Sequence, residues 1–316
     1  MKFKNIVVAG GGVLGSQIAF QSAFKGFRVK IWLRSEASIG RTQPKLDRLY
    51  QIYLKEVEGL EAHLGKDYPD CPRGFTNEFS KLTEADIQQF RQKIEEAYKN
   101  IKLELCEAEA FQDADLVIEA MAENREEKVA FYKRIREYLP EHTILVTNSS
   151  TLLPSMFAED TGRPDRYLAL HFANNIWRGN TAEIMGHEGT SKEAYDAVVE
   201  FAGEIGMVPL PLKKEQPGYI LNSMLVPFLS AAEALWANDV ADPETIDNTW
   251  KLGTGSPLGP FQILDIVGLM TAYQIVLAKP GAQEPGTVMY KIAAKLKEYI
   301  DAGKTGVNAG EGIYKY

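Results

Sequence analysis

His171 and Glu183 are the two residues of this chain whose types and spacing point most directly to chemistry. The apolar run Tyr167-Leu-Ala-Leu170 leads straight into His171, and Glu183 lies inside the next short run, Thr181-Ala-Glu-Ile-Met185. If both runs are strands joined as a hairpin, the carboxylate meets the imidazole. Such a carboxylate fixes the ring tautomer and stabilises the imidazolium, which makes the histidine a proton carrier. A purely structural His–Glu pair would use the same spacing, so the pair alone does not choose between the two. The remaining histidines offer less. His63 falls in a polar helical segment and His142 in a polar turn, both expected to be solvated, and His187 follows Met185-Gly186, where it could equally lie on the surface.

Thr147-Asn-Ser-Ser-Thr151 follows another apolar run, and its amide and hydroxyls could hydrogen-bond a cofactor or a substrate carbonyl. A plain Asn/Ser turn is the competing reading. Ser150, His171 and Glu183 do not read as a serine hydrolase, because no G-x-S-x-G elbow presents the serine. No cluster of His, Cys and carboxylates has metal-ligand spacing, so no metal is expected.

What these groups would act with is indicated near the N-terminus. Ile6-Val-Val-Ala9 reads as a buried parallel strand, and Gly10, Gly12 and Gly15 follow where strand becomes helix, with Val13 and Leu14 between the last two. The first glycine allows a tight turn, the second lets backbone approach a pyrophosphate, and the third lets helix pack on strand. The helix N-terminus is then aimed at phosphates. Gly15, Ala19 and Ala23 form a small-residue face suited to that packing, and Arg28-Val-Lys-Ile-Trp-Leu33 supplies the next strand. In this strand–turn–helix context the spacing predicts a nicotinamide dinucleotide site.

A chain of 316 residues allows two domains or one large one, with ample apolar content for a core. The net charge of −8 and pI near 5.3 argue against nucleic acid or an anionic membrane as partner. Cys71 and Cys106 form no disulfide or metal pattern, which fits a reducing cytoplasm, and Met-Lys-Phe-Lys leads into the first strand with no room for a signal peptide. Ile220 to Ala237 contains Asn222, Ser223, Pro227 and Glu233, and reads as a buried helix rather than a membrane span.

These groups need a scaffold of alternating strands and helices. After Leu33, residues 35–100 are helical and polar around a break at Tyr68-Pro-Asp-Cys-Pro-Arg-Gly74, which predicts an inserted helical hairpin. Strands are expected near Ile101–Leu105, Asp115–Ala120, Thr143–Thr147, Tyr167–His171, Thr181–Met185 and Met207–Leu212, with helices over Asn124–Leu139 and Ser191–Ile205. The expected fold is α/β: a Rossmann-type, doubly wound, mostly parallel sheet over residues 1–213 with the hairpin insertion at about 35–100. Pro209, Pro211, Pro217 and Gly218 mark a linker, and residues 214–316 read as an all-α domain for the substrate cleft and for dimerisation. Within it, Asp242-Pro243-Glu244 is a helix start.

The chain resembles the 3-hydroxyacyl-CoA dehydrogenase family over nearly its whole length. The matching segments are Gly10-Gly-Gly-Val-Leu-Gly15, Val117-Ile-Glu-Ala-Met-Ala-Glu123, Thr147-Asn-Ser-Ser-Thr-Leu152, His171-Phe-Ala-Asn174 and Ala182-Glu-Ile184, then Pro217-Gly-Tyr-Ile-Leu-Asn222, Gly253-Thr-Gly-Ser-Pro-Leu-Gly-Pro-Phe261 and Gly310-Glu-Gly-Ile-Tyr314. Within the family it is similar to the diketoreductase-like branch through His171-Phe-Ala-Asn-Asn175 and Asn180-Thr-Ala-Glu183. The resemblance implies His171 as catalytic acid/base, Glu183 as its partner, and Ser150 and Asn222 as holders of the substrate oxygen. It also implies Glu123, Lys128, Ser150 and Asn174 as cofactor contacts, and a homodimer formed through the helical domain.

Departures from the family pattern carry their own expectations. Leu33, followed by Arg34-Ser35, stands where an acid ordinarily binds the ribose 2′-hydroxyl and repels a 2′-phosphate. Arg34 could pair with that phosphate and Ser35 hydrogen-bond to it, so local chemistry slightly favours NADP(H) where the family implies NAD(H). The usual Asn-Pro is Asn174-Asn175, Asn222 is followed by Ser223 rather than Arg, and Asn308-Ala309-Gly310 replaces Lys-Thr-Gly, which removes a cofactor-contacting lysine. The expected activity is interconversion of a 3-hydroxyacyl-CoA and its 3-keto form with NAD(P). Free 3-keto or 3,5-diketo acids are the alternative substrates, and a non-catalytic cofactor-binding or structural protein is the alternative class. A CoA phosphate would want a basic cradle. Residues 41–100 hold ten Lys/Arg against eleven Asp/Glu, and only Arg41, Lys45 and Arg48 could gather on one helix face.

Overall fold

The computed structural model describes residues 2–316. One unit runs β1 (Asn5–Ala9), α1 (Val13–Phe24), β2 (Arg28–Trp32), α2 (Glu36–Ala62), α3 (Glu84–Asn100), β3 (Lys102–Glu104), α4 (Glu107–Phe111), β4 (Leu116–Glu119), α5 (Arg125–Ile135), β5 (Ile144–Thr147), β6 (Tyr167–Phe172), β7 (Thr181–Met185), α6 (Lys192–Glu204) and β8 (Val208–Pro211). These strands form one sheet in the order β3-β2-β1-β4-β5-β6-β7-β8. Every neighbouring pair is parallel except β6 and β7. The chain is therefore a Rossmann-type α/β protein, and the sheet order turns back beside β1, where such folds open a ligand crevice.

Alternate residues of the central strands enter two separate cores, which is why these strands read as unbroken apolar runs. Ile6, Val8, Leu116, Ile118, Ile144 and Val146 pack on the face covered by α1 and the α2–α3 hairpin. Val7, Ala9, Val117 and Leu145 pack on the other face with Phe111, Phe131 and Tyr132. A strand covered on both sides has no solvent-facing positions to fill with polar residues.

The hairpin is held by buried polar contacts as well as by its aromatic residues. Tyr53 donates to Gln21 Oε1 at 2.6 Å, and Gln21 Nε2 donates to the carbonyls of Gly74 and Ile205 at 2.9 and 2.6 Å. Glu56 accepts from Trp177 Nε1 and, in bidentate fashion, from Arg178. The hairpin thereby grips the β6–β7 connection. Thr83 and Asp86 form a reciprocal capping box at the start of α3. His63 is not the solvated side chain that its polar surroundings suggested. It bonds the Gly59 carbonyl at 2.8 Å and stacks on Tyr68.

The second compact unit begins at Leu221 and contains α7 (Leu221–Ala237), α8 (Pro243–Thr254), α9 (Pro260–Val267), α10 (Leu269–Leu277) and α11 (Val288–Asp301). Its core gathers Trp236, Phe261, Leu264, Ile292 and Leu296. Asp242 caps α8 by accepting from the Thr245 amide, with Pro243 at the first helical position. α7 departs from the expected buried helix: Leu229, Ala232 and Trp236 are covered, whereas Met224 is 62% exposed and Leu221 and Leu235 also face out. No single helix among the described residues is long and apolar enough to cross a membrane.

Candidate active site

In the antiparallel β6–β7 pair, His171 stands directly opposite Glu183, and directly paired side chains project to the same face of a sheet. His171 Nδ1 lies 3.1 Å from Glu183 Oε2, and Nε2 lies 3.2 Å from Ser150 Oγ. Glu183 is held from a second side, since its Oε1 accepts the Ile220 amide at 2.8 Å. Both partners are buried, and Ser150 is half-buried. A carboxylate on Nδ1 keeps the ring proton there, which leaves Nε2 as the atom that takes up and releases a proton at the open end of the couple.

Ser150 sits in the turn after β5, and that turn is built on Glu123. Its Oε1 accepts from Ser149 Oγ at 2.6 Å, the Thr151 amide at 2.8 Å and Thr151 Oγ1 at 2.7 Å. Burial pushes the Glu123 carboxyl up, but these hydrogen bonds and the nearby Lys128 charge outweigh it and hold the group below its ordinary value. Asn148 ties β5 to β6 by accepting the Phe172 amide at 3.1 Å.

Beneath the turn lies a buried polar cluster. Glu119 Oε1 accepts from Lys128 Nζ at 2.6 Å, and its Oε2 accepts from Tyr132 at 3.0 Å and Thr147 at 2.7 Å. Tyr167 donates to Tyr132 in turn. Lys128 is wholly enclosed here, with Glu123 3.7 Å away. Its ammonium braces the two acids of the Val117–Glu123 segment from inside.

Tyr219 is a site residue that its sequence context does not announce. Its ring stacks on His171 with centroids 4.4 Å apart and planes 13° from parallel, and its hydroxyl donates to the Ser149 carbonyl at 2.7 Å. Burial holds this phenol well above its ordinary pKa, so it remains a neutral donor. Its backbone is left-handed (φ 53°), a conformation that costs a non-glycine residue about 1–3 kcal/mol and that concentrates at functional sites. The signal was present in Pro217-Gly-Tyr-Ile220, but nothing in that motif reveals where the ring lands.

The glycine turn fits a dinucleotide. Gly10 has φ 119°, and a Cβ there would stand 2.6 Å from the Ala120 carbonyl; one on Gly15 would stand 2.2 Å from Gly10 O. Gly12 faces open space and caps α1 with no side-chain bond to the first-turn amides, which leaves those donors for a pyrophosphate beside Val13 and Leu14. Next to the turn lies a cavity of about 240 Å³ whose walls include Leu33, Arg34, Ser38, Arg41, Thr42 and Lys45. The basic face of α2 expected to serve a CoA phosphate is thus turned toward the nucleotide end, and Arg48 is not among the walls. Ser35 stands at the N-cap position of α2 without a side-chain bond to the first-turn amides, and its hydroxyl lies 3.0 Å from that of Ser38. Asn174 is exposed in the β6–β7 connection, where the Asn175 amide donates to Gln17 of α1. Asn222 lies in the first turn of α7, in the other unit.

A doubly wound sheet with an open glycine turn and a His–carboxylate couple on adjacent strands suits a dinucleotide-linked enzyme that moves a proton. The comparisons with known proteins sharpen that class. The family model described as 3-hydroxyacyl-CoA dehydrogenase, NAD binding domain, matches residues 5–216, and the one for the 3-hydroxyacyl-CoA dehydrogenase C-terminal domain matches residues 218–316. The mitochondrial hydroxyacyl-coenzyme A dehydrogenase of Homo sapiens is 31% identical over 99% of this chain and 91% of its own. A probable 3-hydroxybutyryl-CoA dehydrogenase of Bacillus subtilis is 31% identical over 100% of this chain and 98% of its own. Among solved structures, a diketoreductase described as acting on dicarbonyl compounds shares 45% identity and a TM-score of 0.84, with 99% of both chains covered. The (S)-3-hydroxybutyryl-CoA dehydrogenase of Ralstonia eutropha shares 27% identity and a TM-score of 0.71 over 99% of both chains. The chain belongs to the 3-hydroxyacyl-CoA dehydrogenase family.

Proposed function

We propose that this protein interconverts a 3-hydroxyacyl thioester and its 3-keto form, with His171 as the group that gives and takes the proton. The observation that carries this reading is the linear array Ser150 Oγ–His171 Nε2, His171 Nδ1–Glu183, which ends in a half-buried hydroxyl at the mouth of two strands. A bound nicotinamide supplies or accepts the hydride. In the reducing direction His171 holds a proton at Nε2 and releases it to the substrate oxygen, while Glu183 stabilises the imidazolium. Ser150 donates to the same oxygen as charge develops there, and Asn222 keeps the oxygen-holding role that the family resemblance implies for it. Glu123 fixes the turn that carries Ser150, and Asn174 and the Gly10–Gly15 turn are assigned to the cofactor.

Free 3-keto or 3,5-diketo acids form a second reading, favoured by two observations. Arg41 and Lys45, the residues best spaced for a CoA phosphate, face the nucleotide cavity instead, and the diketoreductase matches the full chain at 45% identity. A panel of acetoacetyl-CoA against free 3-keto and 3,5-diketo acids decides the order. Higher kcat/KM with acetoacetyl-CoA supports the thioester reading, and equal or lower efficiency reverses it.

The same reading assigns NADP(H) as the preferred cofactor, because Leu33 presents no carboxylate to repel a 2′-phosphate. It also assigns a homodimer formed through the helical unit, supported by exposed apolar side chains such as Met224, Leu252, Ile266 and Met270. Sedimentation of the purified protein at micromolar concentration checks the assembly.

A further inference from the structure

The walls of the nucleotide cavity hold three cations, Arg34, Arg41 and Lys45, against one carboxylate, Glu127. Ser38, Arg41 and Lys45 lie three and four residues apart on α2, so they share one face of the helix, and all three border the cavity that begins at the glycine turn. Thr42 Oγ1 comes within 3.3 Å of the Gly11 carbonyl, which presses this stretch of α2 against the turn. Arg41 Nη2 donates to the buried Ser38 hydroxyl at 2.9 Å, and Lys45 Nζ folds back onto the Arg41 carbonyl. Among the described residues Arg41 makes no ion pair. Arg34, the other guanidinium at the cavity, stands 3.4 Å from Glu127. Glu127 and Arg34 therefore offset each other's charge, and Arg41 with Lys45 remains as the surplus.

We propose that Arg41, oriented by Ser38 and backed by Lys45, is the principal clamp for a phosphate monoester on the adenosine ribose, and that Arg34 is subsidiary. This rests on the NADP(H) reading above and specifies which residues carry it. A guanidinium held by one N–H keeps its other donors in a planar fork, the geometry that a phosphate dianion accepts in bidentate fashion. Leu33 is the complementary feature: its side chain lines the cavity and brings no carboxylate to it. Two ligands present such a monoester, the 2′-phosphate of NADP(H) and the 3′-phosphate of CoA. Continuity of the cavity with the glycine turn assigns the 2′-phosphate.

Calorimetric titration with adenosine 2′,5′-bisphosphate, adenosine 3′,5′-bisphosphate and 5′-AMP tests this without turnover, on the intact wild-type, Arg41→Ala and Arg34→Ala proteins. The wild type is expected to prefer the 2′,5′-bisphosphate over AMP by about ten- to a hundredfold, the increment of one or two charge-assisted hydrogen bonds. Arg41→Ala should erase most of that ratio, Arg34→Ala should lower it only about two- to threefold, and the NADPH/NADH ratio of kcat/KM should follow the same order. Measurable AMP binding by each variant certifies that its fold and glycine turn are intact. A wild type indifferent to the 2′-phosphate overturns the NADP(H) reading and this inference with it. A wild-type preference abolished by Arg34→Ala but kept by Arg41→Ala overturns the inference and leaves the cofactor reading standing. Tighter binding of the 3′,5′-bisphosphate reassigns the clamp to CoA and overturns both.

Discussion

Tyr219 lies flat against His171, ring to ring at 4.4 Å, while its hydroxyl holds the carbonyl of Ser149, the residue just before Ser150. One side chain thus sets the distance between the proton carrier and the hydroxyl beside it. Glu183 fixes the imidazole in its plane through Nδ1, and Tyr219 blocks tilt out of that plane.

Tyr219→Phe keeps the stack and removes one hydrogen bond, so kcat should fall about three- to tenfold with KM less affected. Tyr219→Leu also removes the ring and should cost about a further tenfold in kcat. Steady-state kinetics across pH check this, because a tilted His171 changes the pH–rate profile and a remote packing defect does not. Equal kcat in wild type and Tyr219→Leu would remove Tyr219 from the positioning of the couple.

The proton-transfer assignment makes a graded forecast. His171→Gln removes the carrier and should lower kcat about a thousandfold, whereas Glu183→Gln removes orientation and charge but leaves the carrier, at a cost of about a hundredfold. Cofactor affinity, read by fluorescence titration, should survive in both variants, since neither residue borders the nucleotide cavity. Substantial turnover by His171→Gln would end the assignment.

What the sequence revealed and what it withheld divide along physical lines. The glycine turn was legible because its three positions are local in the chain and each has a steric reason to be glycine. His171 and Glu183 were legible because a short connection joins their strands, and strand pairing then sets them opposite. Glu119 shows the limit. An acid inside Leu116-Val-Ile-Glu119 is a visible anomaly, but its partners Lys128, Tyr132 and Thr147 lie on other elements, and only the packed fold brings them together. Arg41 and Lys45 were correctly placed on one helix face by their spacing. Which way that face points depends on how α2 leaves β2, and periodicity does not encode that direction. Tyr219 was least legible, because a left-handed tyrosine is imposed by its contacts rather than by its own preference.

Glu233 predicts a pH dependence of stability in the helical unit. It is buried on α7, one carboxylate oxygen has no hydrogen-bond partner among the described residues, and Lys279, the charge that opposes its burial, donates to Ser230. Burial pushes the carboxyl up from 4.5 to about 7, with Lys279 opposing. A raised acid favours the folded state only while it is protonated. Its penalty is absent below the unfolded value, grows as pH rises from 4.5 toward 7, and is complete above 7, where it amounts to about 3 kcal/mol. Glu233→Gln carries no charge at any pH, so it should be more stable than wild type by about 3 kcal/mol at pH 8 and by less than about 1 kcal/mol at pH 5. Urea unfolding of both proteins at the two pH values checks this, and the comparison cancels every other titrating group. A stability difference of the same size at both pH values would show that Glu233 is not ionised at a cost, and that its carboxylate has a partner in the folded protein.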